Sequence, residues 1–441
     1  MFFGCVKKRI VVSLFSFLLF CCLYAFRAET QVRVPGCPCS NITLCQPIQG
    51  QRAKEVFGFR NRGSNDSRFE GYDWNVVTTV AWNPSPQLMC VAHAHGARVV
   101  MAAPEPLPIL AGDDATARAV WIATTVTEIQ TQFLDGIVFD FEAPLLPTDP
   151  ANSKYVSLVA ETRAALHARI PGSQVSVCLA WSPHGVDGRY YDNIGLIEAA
   201  DLGYIMGYDT RSQVMAQCVA SANAALPALA WGLREYMTLG ADPQKLVLGV
   251  PWYGYDYRCI PQGKQGEDGS GRGERGREGG AEGGGQGEGE DGRVDPTTVT
   301  CAIELVPFRG VGCSDAAGKQ VPYSTIQARL TAGETSTGRR WDGYMQTPFY
   351  NYVDLGDGSV HQVHYDDSES LRVKYDLARQ LGLRGVGPYT FDDVWEEGEG
   401  GREGADAMWA VLRMYVEGDT ATGEAEIGRK WKEGVDEVGT R

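Results

Sequence analysis

Short apolar runs rich in Val, Ile, Leu and aromatic residues recur along the chain. Each is closed by a proline or a polar residue and followed by a longer stretch at helical spacing. The runs that predict strands cover residues 55–59, 76–82, 97–103, 133–142, 175–181, 202–209, 245–251 and 384–389. Helical stretches fall between them at 86–95, about 115–130 and 154–170, the last stopped by Pro171-Gly172, and a closing helix is expected at 408–416. Alternation of this kind predicts an α/β fold, and eight strands predict a closed (β/α)8 TIM barrel rather than an open sheet. The seventh and eighth strands stand too far apart for an ordinary loop. Residues 262–296 are rich in Gly, Glu and Arg without apolar periodicity, which predicts a disordered surface insertion. From about 297 to 365 large side chains return, among them Phe308, Trp341 and Tyr352, and predict a small α+β insertion walling one side of a cleft.

The ends of the chain change this picture little. Lys7, Lys8 and Arg9 precede an apolar run over residues 10–24, which reads as a signal peptide within 1–28, cleaved near Ala25 or Ala28. The run is short for a bilayer span of about 20 residues, so no membrane association is expected after cleavage. The barrel domain then covers 29–416, and the charged, Gly-rich tail at 417–441 is expected to be disordered. Of 12 cysteines, Cys5, Cys21 and Cys22 leave with the leader. The clusters Cys37, Cys39, Cys45 and Cys259, Cys301, Cys313 point to disulfides in an oxidising compartment, with the pairing open. A zinc site is the weaker alternative for the first cluster, because no His accompanies it at ligand spacing. Cys178, inside an apolar strand, is the candidate free thiol. Asn41 and Asn65 head glycosylation sequons. The chain has 441 residues, 44% apolar and 22% charged, ordinary for a globular enzyme. A net charge of −15 without any basic stripe argues against a nucleic-acid partner. No metal or cofactor is called for, and a monomer is expected.

The chemistry concentrates in Asp135-Gly136-Ile137-Val138-Phe139-Asp140-Phe141-Glu142. Strand alternation puts Val138, Asp140 and Glu142 on one face, and Pro144 and Pro147 place Glu142 at the C-terminal end of the strand. Neighbouring carboxylates push their pKa values apart, which is how one of them stays protonated as a general acid. Asp135 has the opposite parity and is expected to support the strand, and Gly136 to allow close backbone packing. The strand-end aromatics Trp181, Trp252, Tyr253 and Tyr389 offer flat faces suited to sugar rings.

This stretch resembles the active-site strand of the family 18 glycoside hydrolases, chitinase-like (β/α)8 barrels whose pattern is D-G-x-D-x-D-x-E. The resemblance extends to Met206-Gly207-Tyr208-Asp209 (M-x-Y-D), to residues 246–255 (G-x-P-x-Y-G), and to Trp341-Asp342 and Tyr365-Asp366-Asp367 with Ser370 and Lys374. Within the family the phrases at 180–183, 249–257, 306–310 and 313–318 are similar to its lysosomal branch. The resemblance implies a glycosidase acting on β1,4-linked N-acetylglucosamine in chitobiose-type oligosaccharides from N-glycan cores. It also implies a retaining mechanism assisted by the substrate's own acetamido group. Carried over residue by residue, Glu142 is the general acid and base and Asp140 orients the acetamido N–H. Tyr208 donates to the acetamido oxygen, and Asp209 contacts sugar hydroxyls. An endochitinase and a non-hydrolytic lectin on the same barrel are the alternatives. Two positions depart from the family. Val138 stands where the middle Asp would share a proton with Asp140, and Tyr389 stands where a Trp usually floors the sugar site.

Overall fold

The β-branched and aromatic runs close into a barrel because each is apolar on both faces and must be covered from inside and outside. The computed structural model of the protein describes residues 36–418 except 51, 62–67, 213–216, 262–293 and 395–398. The expected leader, the tail beyond 418, Asn65 and most of the Gly-rich stretch lie outside the described residues. The barrel strands are β1 (Glu55–Phe59), β2 (Thr79–Ala81), β3 (Arg98–Ala102), β4 (Gly136–Phe139), β5 (Gln174–Ala180), β6 (Leu202–Met206), β7 (Leu246–Pro251) and, last in sequence, β13 (Gly385–Tyr389). All pair in parallel, and β1 closes the ring against β13.

Helices cover the outside: α1 (Pro86–Ala94), α2 (Leu107–Ala111), α3 (Ala115–Thr131), α4 (Ala151–Arg169), α5 (Asn193–Ala199) and α6 (Leu226–Thr238). Their starts follow local chemistry. Ser85 caps α1 ahead of a proline in its first turn, and Asp114 accepts from two backbone amides at the start of α3. Gly136 is required by crowding, since a Cβ there would lie 1.9 Å from the Gln174 carbonyl oxygen of β5.

The interval between β7 and β13 holds a second sheet, antiparallel, of β8 (Tyr253–Arg258), β9 (Gly318–Pro322), β10 (Arg340–Asp342), β11 (Thr347–Val353) and β12 (Val360–His364), in the order β10-β11-β12-β8-β9. Helix α7 (Tyr323–Thr331) joins it, and α8 (Ser368–Gln380) and α9 (Glu399–Glu417) return the chain to the barrel. The sheet starts earlier than the expected 297. Tyr253 already belongs to it, because β8 finds its hydrogen-bond partners in β9 and β12, far along the sequence. Asp367 caps α8 in a capping box with Ser370. Beside it, the fully buried Lys374 ammonium pairs with Asp366, which also accepts from the Ser370 hydroxyl at 2.6 Å.

Among the described residues four disulfides tie these parts together: Cys37–Cys45, Cys39–Cys90, Cys218–Cys313 and Cys259–Cys301. The sulfurs of Cys37, Cys39 and Cys45 lie near one another. All three are consumed in disulfides, so they supply no thiolate for zinc. Cys178 is buried and outside any disulfide. Among the described residues no helix is long and apolar enough to cross a membrane.

Candidate active site

Both ends of β4 carry acids, and the structure treats them differently. At the N-terminal end Asp135 is fully buried. Its carboxylate accepts from the backbone amides of Ile48 and Val99, each at 2.8 Å, and lies 2.8 Å from Nε2 of His93. The other ring nitrogen of His93 meets the Leu44 carbonyl at 2.6 Å, so this acid anchors the N-terminal segment under the barrel. Burial alone would favour the neutral ring, but the hydrogen bond and charge of Asp135 outweigh it and raise the His93 pKa.

At the other end β4 stops at Phe139, so Asp140 and Glu142 lie just past the strand rather than on it. There the pairing of β3 with β4 runs out, and the chain turns to bridge Leu145 with Arg189. Val138 faces the barrel interior with Phe57 and Tyr204, below Asp140. Asp140 and Glu142 open into a cavity of about 440 Å³ at the C-terminal strand ends.

The other walls come from five directions. Cys178 and Trp181 enter from β5 and its end, and the Cys178 thiol hydrogen-bonds Asp140. Its burial, with the nearby charges of Asp140 and Glu142, holds that thiol well above the ordinary range, so it is a neutral donor. Past β6 come Tyr208 and Asp209. Burial pushes the Tyr208 hydroxyl well above its usual pKa, so it is a hydroxyl donor throughout the physiological range. Tyr389, at the end of β13, stacks obliquely on Tyr208 with ring centroids 5.3 Å apart and meets Trp82 edge-on at 5.6 Å. The antiparallel sheet supplies Tyr255 and Gln320, and the loop before β9 supplies Arg309 and Asp315.

Asp209 is held by two tyrosines. It accepts from the hydroxyls of Tyr253 at 2.5 Å and Tyr255 at 3.1 Å, and Gln320 donates to Tyr255 at 3.1 Å. Burial raises its carboxyl to about 6 against the lowering effect of the two tyrosines. Burial likewise raises Asp315 to about 7, helped by the charges of Asp209 and Asp187.

The cavity therefore gathers Asp140, Glu142, Tyr208, Asp209, Trp181 and Tyr389 from the ends of four barrel strands. Two expected sugar contacts are corrected. Trp252 is fully buried outside the cavity, packed edge-on against Trp409 at 5.0 Å and Phe391 at 6.0 Å, because it links β7 directly to β8 and points away from the barrel axis. Tyr253 sits one layer back, its ring against Tyr208 and its hydroxyl on Asp209. Asn41 is exposed, and its side chain accepts from the Thr43 amide and hydroxyl.

Asp187 and Arg189 also line the cavity; they follow β5 on a loop without periodicity, which leaves them no signal in the sequence. Arg309 and Asp315 were within reach, since both lie in phrases singled out for their resemblance.

Paired acids at the C-terminal mouth of a parallel barrel, a buried hydroxyl donor and aromatic walls define a glycosidase site. The chain belongs to the glycosyl hydrolases family 18, which it matches over residues 105–393. It is 37% identical over 380 residues to di-N-acetylchitobiase of Rattus norvegicus, covering 86% of this chain and 92% of that one. With di-N-acetylchitobiase of Homo sapiens it shares 36% identity over 86% of this chain and 88% of the relative. Among solved structures, the Group IV chitinase of Ostrinia furnacalis in complex with allosamidin aligns over 83% of this chain and all of that chain, with a TM-score of 0.60 and 16% identity. That likeness concerns the fold alone.

Proposed function

We propose that the protein is a di-N-acetylchitobiase-type glycosidase that hydrolyses β1,4-linked N-acetylglucosamine in chitobiose-type oligosaccharides, with retention and with help from the substrate's acetamido group. The observation that carries this reading is the convergence of Glu142, Asp140 and Tyr208 on one cavity of a size suited to a small ligand. Glu142 protonates the glycosidic oxygen. As the bond to the leaving sugar breaks, its electron pair stays with that oxygen and the acetamido carbonyl closes on the anomeric carbon. Asp140, steadied by Cys178, receives the acetamido N–H, while Tyr208 donates to the carbonyl oxygen and fixes the attack geometry. Glu142, now a carboxylate, takes a proton from the water that opens the oxazolinium ring. Tyr389 and Trp181 supply apolar faces, and Asp209 binds sugar hydroxyls.

One side of the cavity is closed where Arg309 donates to the Asp187 carbonyl at 2.8 Å, joining the inserted region to the loop after β5. A closed side suits short substrates rather than polymers. The expected leader, the disulfides and the Asn41 and Asn65 sequons fit a glycoprotein of the secretory pathway; delivery to lysosomes and a monomeric state complete the proposal.

The test is to incubate the purified protein at pH 4–6 with chitobiose and with chitotriose labelled at its reducing end. The expected result is release of free N-acetylglucosamine from chitobiose. Cleavage confined to longer oligomers would make it an endochitinase, and binding without release a lectin.

A further inference from the structure

Glu142 does not stand alone at the cavity. Its Oε2 receives the Arg189 guanidinium, and the two side chains differ sharply in freedom: Glu142 is 50% exposed and Arg189 only 8%. An exposed ion pair contributes little when both partners are mobile. Here one partner is fixed. Arg189 also donates to Asp187 Oδ2 at 3.0 Å and to the Val186 carbonyl at 3.3 Å. Asp187 is itself held, accepting from the Ser212 hydroxyl at 2.8 Å, and it adopts a left-handed backbone (φ 56°) that folds the loop back on itself.

The same loop grips the backbone that carries Glu142. Leu145 donates to the Gly188 carbonyl at 3.0 Å, and Tyr190 donates to the Leu145 carbonyl at 3.1 Å. The Tyr191 hydroxyl is within hydrogen-bond distance of the Ala143 carbonyl at 2.6 Å and the Phe141 carbonyl at 3.1 Å, on either side of Glu142. Residues 186–191 thus hold both the main chain and the carboxylate of the acid.

We propose that Arg189 is the positioning residue of the general acid. It anchors Oε2 so that Oε1 faces the glycosidic oxygen, and it balances the negative charge that Glu142 acquires as its proton leaves. The proposal rests on the assignment of Glu142 made above. It carries a signature that simple structural support lacks. A sugar leaving group needs its oxygen protonated as the bond breaks, whereas a nitrophenolate leaves with little help. Loss of Arg189 should therefore penalise chitobiose and largely spare an activated aryl glycoside.

The experiment measures kcat/KM of Arg189→Met and Arg189→Lys on chitobiose and on nitrophenyl β-N-acetylglucosaminide, beside Glu142→Gln, with thermal unfolding of each. The expected loss for Arg189→Met is about 10²-fold on chitobiose, in line with the cost of a slightly misplaced catalytic group, and a few-fold on the aryl glycoside. Arg189→Lys keeps the charge without the braced fork and should show the same split at smaller size, so it carries the test if the Met variant fails to fold. Equal losses on the two substrates, or no loss on chitobiose, overturn the proposal. If Glu142→Gln leaves chitobiose hydrolysis intact, it is the assignment of the acid that falls, separately from the role of Arg189.

Discussion

The two ends of β4 hold acids a few residues apart that meet opposite fates. Asp135, beneath the barrel, is sealed from water and takes hydrogen bonds from two backbone amides and a histidine. Glu142, above it, is half exposed and gripped from one side by Arg189. A carboxylate whose acceptor capacity is met by the protein contributes to stability and offers nothing to a ligand. One held from a single side keeps an oxygen for chemistry. Division of the barrel into a stabilising bottom face and a catalytic top face is a general property of this architecture, and here one short strand spans both.

Substitution at the two ends should separate activity from stability. Glu142→Gln should lower kcat on chitobiose about 10³-fold, the scale of general acid–base catalysis, and leave the unfolding midpoint in denaturant within error of the parent. Asp135→Ala should do the reverse. Losing the partner of a buried His and two buried amides costs about 3–5 kcal/mol in denaturant titration, while kcat of the folded fraction holds.

Titration sharpens the contrast at the lower face. His93 gains affinity for its proton on folding, so its protonated pair with Asp135 stabilises fully below the unfolded His pKa of about 6.5 and is lost as pH rises through the higher folded value. The stability gap between the parent and His93→Gln should be widest at acid pH and narrow above neutrality. A gap that grows with pH would contradict the pairing.

The upper face titrates as well, with the opposite groups. Asp209 and Asp315 are raised by burial to about 6 and about 7, so the native state binds their protons more tightly than the unfolded chain does. Stability should therefore decline as pH rises from about 4 to about 7. Asp209→Asn with Asp315→Asn should flatten that decline, measured as unfolding midpoints across the range.

Much of this was legible beforehand because it is local. The barrel strands announce themselves as β-branched runs cut off by Pro104, Pro144 and Pro183, and the pairing of Asp140 with Glu142 at a strand mouth follows from the prolines after them, although β4 ends before both. What was not legible depends on partners remote in sequence. Trp252 looks like any strand-end aromatic until β8 starts at the next residue and turns it into the core. Cys39–Cys90 and Cys218–Cys313 join cysteines that spacing does not pair. Arg189 reaches Glu142 only because two loops meet at Leu145, a contact that no periodicity encodes.

In the proposed mechanism the substrate's acetamido group, oriented by Asp140 and Tyr208, is the nucleophile and Glu142 the acid. The most direct measurement is kcat/KM on chitobiose whose non-reducing acetamido group carries none, one, two or three fluorines. Fluorine drains the carbonyl oxygen of electron density, so an acetamido nucleophile gives a steep fall with each substitution. A flat series would contradict it and give the nucleophile's role to a carboxylate of the protein.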